Sequence, residues 1–213
     1  MLHFSAQSHI GLLAEQNQDA FVFSADLAKR QWNESVSLLQ KPDLGSLLAL
    51  ADGTGSQLTA TFALDFVKKM FAIKEIPDSQ KAILDYLTET LRLTHQEIIQ
   101  NENLKNSATT LVLAWIIDKK IFLAWSGDSR AYLFRQKLQL LTDDHSIVWK
   151  KVKEKKMTPE EARLSADSHL IFQCLGNPDL PPIPDTAVVE WQEGDRLMLC
   201  TDGISAMLNH SDL

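Results

Sequence analysis

An α+β fold is predicted by three features of the chain. Short apolar runs of strand length fall in residues 2–23, 47–55, 109–134 and 187–201, while the stretch from Ser56 to about Gln100 instead repeats its apolar residues at helical spacing. Strands, two helices, strands and a terminal helix follow one another in blocks, without the βαβ alternation of a parallel sheet. Finally, 213 residues without an internal repeat, a low-complexity tract or a linker fit a single domain, 1–213.

In chain order, two short strand patterns flank Gly11 and the polar stretch Glu15–Asp19, and residues 25–45 read as a long hairpin connection closed by Pro42 and Gly45. Leu47–Gly55 reads as a core strand that stops at Asp52-Gly53. Ala60, Ala63, Leu64, Val67, Met70 and Phe71 then mark one buried helical face. Pro77-Asp78-Ser79 supplies a stop and a new N-cap, and Ile83, Leu84, Leu87, Leu91 and Ile98 form the stripe of a second, adjacent helix. Thr109–Ile117, Ile121–Trp125 and Arg130–Phe134 read as a meander of antiparallel strands, with Asp118-Lys119-Lys120 as its first turn. Thr158-Pro159-Glu160-Glu161 is a capping box with Pro at the first helical position, inside an excursion (146–170) too long for a plain connection and expected to form a surface flap. Ala187–Trp191 and Arg196–Thr201 read as a last hairpin, after which a helix begins at Ile204.

Composition removes several classes of function. A net charge of -7 without clustered basic residues argues against nucleic acid, and the basic run Lys150–Lys156, interrupted by Glu154, reads as a solvated helix face. No run of 18 apolar residues and no basic-then-apolar N-terminus is present, so a membrane span or secretion is not expected and the location is read as cytoplasmic. Cys174 and Cys200 sit in apolar runs and are expected to be reduced core residues. His145, next to Thr142-Asp143-Asp144 in a helix-cap context, reads as a packing residue; His9, His169 and His210 have no recognisable partner.

The chemistry-bearing residues are aspartates at strand ends. Asp19, Asp52, Asp128 and Asp202 each stand where an apolar strand meets a turn, three of them beside a glycine. A single Asp-Gly turn is an ordinary hairpin feature, but the repetition of that setting suggests converging strand ends. Converging carboxylates repel unless cations neutralise them, and hard divalent cations with oxygen ligands suit such a set. Zinc spacings are absent; a water activated by such cations could attack a phosphorus atom without a protein nucleophile, which is consistent with the absence of a G-x-S-x-G elbow and a reactive-cysteine loop.

In order and context, Gly11 with Asn17-Gln18-Asp19, Ala51-Asp52-Gly53-Thr54-Gly55, Ser107-Ala108-Thr109-Thr110, Gly127 to Leu133, Leu141 to Ser146, Leu175-Gly176 and Gly194 to Gly203 resemble the metal-dependent serine/threonine protein phosphatases of type 2C, in their compact bacterial form. The resemblance implies a four-layer αββα sandwich of two antiparallel sheets flanked by helix pairs. It also implies two Mn2+ or Mg2+ ions and a third, weaker site. Asp52 would bridge both ions, Gly53 would lend its carbonyl, Asp202 would bind the pair from the other side and Asp19 would hold their waters, so that Asp19, Asp52 and Asp202 carry catalysis. Asp128 would serve the third site together with Asp202. The implied reaction is hydrolysis of phosphoserine or phosphothreonine on cytosolic proteins by a bridging hydroxide, with a cognate kinase as a further expected partner.

The chain also departs from the family pattern. Ala14 stands where the family has a phosphate-binding arginine, Gln18 where an acidic residue is common and Ala108 where a glycine is common. Gly55-Ser56-Gln57-Leu58-Thr59-Ala60 lacks the family's histidine. The closing Asp-Asn segment and last strand are not seen before Leu213, which reads as a C-terminal truncation. These departures raise an alternative, a weak or inactive phosphatase-fold protein that binds and regulates a partner.

Overall fold

In a computed structural model, residues 2–12, 14–34, 37–38, 42–56 and 58–208 are described. His210 and Gln57 lie outside them. The larger sheet takes its strands from β2 (Asp19–Ser24), β4 (Ser46–Thr54), β6 (Leu111–Ile117), β7 (Lys120–Ser126) and β10 (Asp185–Glu190), in the spatial order β10-β7-β6-β4-β2, with the short β5 (Ala108–Thr109) added to the end of β4. A smaller sheet is ordered β11-β8-β9, from β8 (Arg130–Arg135), β9 (Lys137–Leu140) and β11 (Arg196–Cys200). The short β1 (Leu2–His3) and β3 (Ser37–Leu38) form a separate ribbon. All the strand pairs are antiparallel.

The central strand β6, Leu-Val-Leu-Ala-Trp-Ile-Ile, is buried at every position because its two faces meet different layers. Leu111, Leu113, Trp115 and Ile117 join a core shared with the helices α1 (Leu58–Met70) and α2 (Gln80–Gln100). Val112, Ala114 and Ile116 join a second core with Ala131, Leu133, Leu197 and Leu199 of the smaller sheet. The expected α+β sandwich of two antiparallel sheets is therefore present. Ser79 caps α2 by accepting from the Ala82 N–H (3.1 Å), as the sequence predicts. The Thr158 capping box begins α4 (Pro159–Arg163), which packs on α3 (Ile147–Lys153). Through Trp149, α3 covers one end of the smaller sheet's outer face, while Phe134 further along that face stays 43% exposed.

Three local readings change. β4 does not stop at Asp52-Gly53: Gly53 and Thr54 continue it by pairing with Thr109 and Ala108. The meander is interrupted, since β6 and β7 pair as a hairpin but β8 leaves for the other sheet through Gly127-Asp128-Ser129. The last two strands likewise form no hairpin, because β10 pairs with β7 and β11 with β8. The corner between them is held by Arg135, which forms an ion pair with Asp195 (2.6 Å) and donates to the Glu190 carbonyl (2.8 Å). Alternating apolar residues have the same pattern in one sheet or two, so the strand pairing and not the pattern separates this corner from a hairpin turn. The strand β9 was not anticipated; it joins β8 through Gln136 at φ +64°.

Candidate metal centre

The antiparallel register places Asp19 directly opposite Asp52 on neighbouring strands, so both side chains leave the same face of the larger sheet. In the smaller sheet the register ends at the Cys200–Arg130 pair, and just beyond those ends Asp202 and Asp128 line one small cavity. Each sheet thus delivers two carboxylates to the same end of the sandwich. Asp202 opens the short helix α5 (Asp202–Ser205). Its neighbour Thr201 donates from Oγ1 to Asp19 Oδ2 (2.9 Å) and so ties the two sheets together at the site.

Like charges placed opposite one another on a sheet are unfavourable, and the protonation equilibria record the strain. Burial, followed by the charges of Asp19, Asp202 and Asp128, pushes Asp52 up to about 8. Burial and then the charge of Asp202 push Asp128 up to about 7. Asp19 is also raised, mainly by burial, with the Thr201 hydrogen bond opposing the rise. Asp19, Asp52 and Asp202 thus lie close enough to disturb one another's protonation. The neighbouring charges that act most on Asp52 are all carboxylates: Asp19, Asp202 and Asp128. Among the described residues no group of three or more His, Cys, Asp or Glu side chains is already arranged to hold a metal ion.

The backbone around Asp52 is fixed from the side of β5 and β6. Thr109 Oγ1 donates to the Asp52 carbonyl (2.9 Å), the Thr110 N–H donates to the same oxygen (2.8 Å), and the Asp52 N–H donates to Thr110 Oγ1 (3.0 Å). Thr110 Oγ1 also meets Ser129 Oγ at 2.7 Å, next to Asp128. Gly53 donates to the Gln18 carbonyl (3.1 Å), and a Cβ there would stand 3.1 Å from that oxygen and 3.4 Å from the Ala60 nitrogen. Close packing against the entry to α1 accounts for the glycine. Thr109 and Thr110 thus hold the backbone of Asp52 in place.

Arg130 could have been the internal partner of Asp128. It instead forms a bidentate pair with Asp144 (2.8 and 2.7 Å), donates to the Tyr132 hydroxyl (3.1 Å) and lies 5.0 Å from the Trp149 ring. A small cavity of about 60 Å³ separates Asp128, Asp144 and Asp202 from Trp149, Arg163 and His169 of the excursion. The base of the excursion is closed by the bridge between Ser146 and Ile171. Its α4 is tethered by Arg163, which pairs with Glu160 (2.6 Å) and donates to the Ala206 carbonyl (3.0 Å) just beyond α5. Ala14 is exposed.

Comparison with solved structures first fixes the class. The chain superposes on a Streptococcus agalactiae serine/threonine phosphatase with a TM-score of 0.76 at 26% identity, over 99% of this chain and 81% of that one. It superposes on the catalytic domain of the serine/threonine protein phosphatase PstP in complex with two manganese ions with a TM-score of 0.71 at 26% identity, over 94% and 77% of the two chains. The fold is the sandwich of the bacterial serine/threonine phosphatases. In sequence, the protein phosphatase PhpP of Streptococcus pneumoniae is 30% identical over 175 residues, 79% of this chain and 71% of PhpP. The description "Protein phosphatase 2C" matches residues 16–213, and the chain belongs to the protein phosphatase 2C family, whose members are protein phosphatases.

Proposed function

We propose that this chain hydrolyses phosphoserine and phosphothreonine on cytoplasmic proteins at a two-cation centre held by Asp19, Asp52, Asp202 and the Gly53 carbonyl. Asp128 with Asp202 serves a third, weaker site. The supporting observation is the meeting of carboxylates from both sheets, with Asp19, Asp202 and Asp128 as the charges that act most on Asp52. Such a set is short of positive charge, and Mn2+ or Mg2+ suits its all-oxygen donors. Held by these residues, such ions would supply activation of water and neutralisation of phosphoryl charge.

The chain's own residues do the rest. Thr109 and Thr110 hold the Asp52 backbone, Thr201 orients Asp19, and the excursion 146–170 acts as a flap that limits access to the cavity beside Asp128. Phosphorylated side chains of this kind are made by protein kinases, so a serine/threonine kinase is the expected source of substrate.

The test is hydrolysis of a phosphothreonine peptide with and without millimolar Mn2+, with Mn2+ binding followed separately by calorimetry. Asp52→Asn is expected to abolish turnover and weaken Mn2+ binding while remaining folded. Undiminished Mn2+-dependent turnover in that variant would remove Asp52 from the centre.

A further inference from the structure

The turn that carries Asp128 is gripped from both sides. On one side, Gly127 at φ +113° lies so close to Thr110 that a Cβ would fall 2.6 Å from Thr110 Cγ2. On the other stands His145, buried to 4% exposure between Trp125 (rings stacked, 6.4 Å) and Phe172 (5.8 Å). Both polar backbone groups of Gly127 are bound by this one residue. The Gly127 N–H donates to His145 Nδ1 (3.1 Å), and the Gly127 carbonyl accepts from the His145 N–H (3.0 Å). The His145 carbonyl in turn accepts from Phe172 N–H (2.8 Å), where the chain returns from the excursion.

We infer that His145 is a positioning residue, whose Nδ1 lone pair fixes the Gly127-Asp128 turn and thereby the Asp128 carboxylate at the mouth of the sandwich. The inference rests on the metal-centre reading above. An imidazole that accepts at Nδ1 carries its proton on Nε2. That atom faces Asp185 of β10, with Nε2 3.3 Å from Asp185 Oδ2 but not aligned for a hydrogen bond. The negative carboxylate favours the tautomer that Gly127 requires. His145 thus links the turn bearing Asp128 to the last strand of the larger sheet and to the end of the excursion, without touching substrate.

Two polar replacements separate positioning from packing. In His145→Asn the side-chain carbonyl can occupy the place of Nδ1, whereas in His145→Gln the acceptor moves toward the place of Nε2 and Gly127 loses its partner. Outer-shell substitutions at metal centres typically cost about 10–100-fold in affinity or activity. The Gln variant is accordingly expected to need about tenfold more Mn2+ for half-maximal peptide hydrolysis, with the peptide KM little changed, and Asn to restore the Mn2+ response to within about threefold. Equal behaviour of Asn and Gln, or a Gln variant indistinguishable from the parent, would overturn the inference. Nitrogen-15 NMR of the parent protein provides a readout free of turnover and metal: the expected spectrum shows His145 unprotonated at Nδ1, and a proton on Nδ1 would overturn the inference even in an active enzyme. A parent protein inactive with every phosphopeptide would count against the proposed function, while this spectrum would still decide the role of His145.

Discussion

Replacing Asp52 by Asn should stabilise the metal-free protein, and the reason lies in the proton balance. Asp52 rises from 3.8 to about 8 on folding, so between those values the native state holds a proton that the unfolded chain has released. An excess of bound protons in the native state means that stability falls as pH rises through this window, and the penalty is complete above the folded pKa. Near neutral pH the shift corresponds to at most about 4 kcal/mol at about 1.4 kcal/mol per unit. Part of that penalty is shared with Asp19, Asp128 and Asp202, and some solvent reaches the site, so a gain of about 1–3 kcal/mol is expected for the Asn variant. For a chain of this length that is a rise in Tm of about 2–12 °C. The assay is thermal unfolding in EDTA from about pH 5 to pH 8.5: the parent should lose stability across the range, and Asp52→Asn should lose less. Adding Mn2+ should reverse the order, because the parent has the full carboxylate set to bind it. An Asn variant no more stable than the parent in EDTA at the alkaline end would refute the reasoning.

Other perturbations test the supporting structure. Gly127→Ala combines an unfavourable positive φ with a contact 2.6 Å from Thr110, and should cost about 2–4 kcal/mol in chemical denaturation. Arg130→Met leaves Asp144, whose side chain is only 9% exposed, without its bidentate partner and should cost about 3 kcal/mol in the same assay. Arg163→Ala removes the donor to the Ala206 carbonyl and the pair with exposed Glu160; global stability should change by about 1 kcal/mol or less, while limited proteolysis within 146–170 and the peptide KM should both increase.

The sequence displayed the aspartates but not the geometry that joins them. The two long helices were legible from their stripes, Ser79 and the Thr158 box from capping chemistry, and β4 and β6 from unbroken apolar runs. Membership of a particular sheet was not legible, since an alternating strand has the same pattern whichever sheet it joins. The crossings at 127–129 and 191–195 were therefore read as turns within one meander and one hairpin. The contacts of Thr201, Thr110 and His145 were not legible for a related reason: each acts through a partner 182, 58 or 18 positions away, and no local spacing encodes those contacts.

The misread crossing at 127–129 and the opening at Asp202 explain why the carboxylates gather where they do. A chain that leaves one sheet for the other must break its ladder at the rim, and a residue in that gap is freed from alternating between a buried and an exposed face. Asp128 stands in such a gap, and Asp202 lies two residues beyond Cys200, the last residue of β11. Asp19 and Asp52 come instead from within a regular pair, where direct opposition is unfavourable unless something at the rim compensates. The first pair is placed by topology and the second by register. The Thr201–Asp19 hydrogen bond and the Thr110–Ser129 contact are two links between the sheets at this rim, so loosening either should change the spacing between sheets before it alters either sheet itself. Thr201→Val, which keeps the shape and removes the donor to Asp19, is therefore expected to weaken Mn2+ binding about tenfold while leaving the far-UV circular dichroism spectrum unchanged. Unaltered Mn2+ binding in this variant would show that Asp19 is held by its own strand alone.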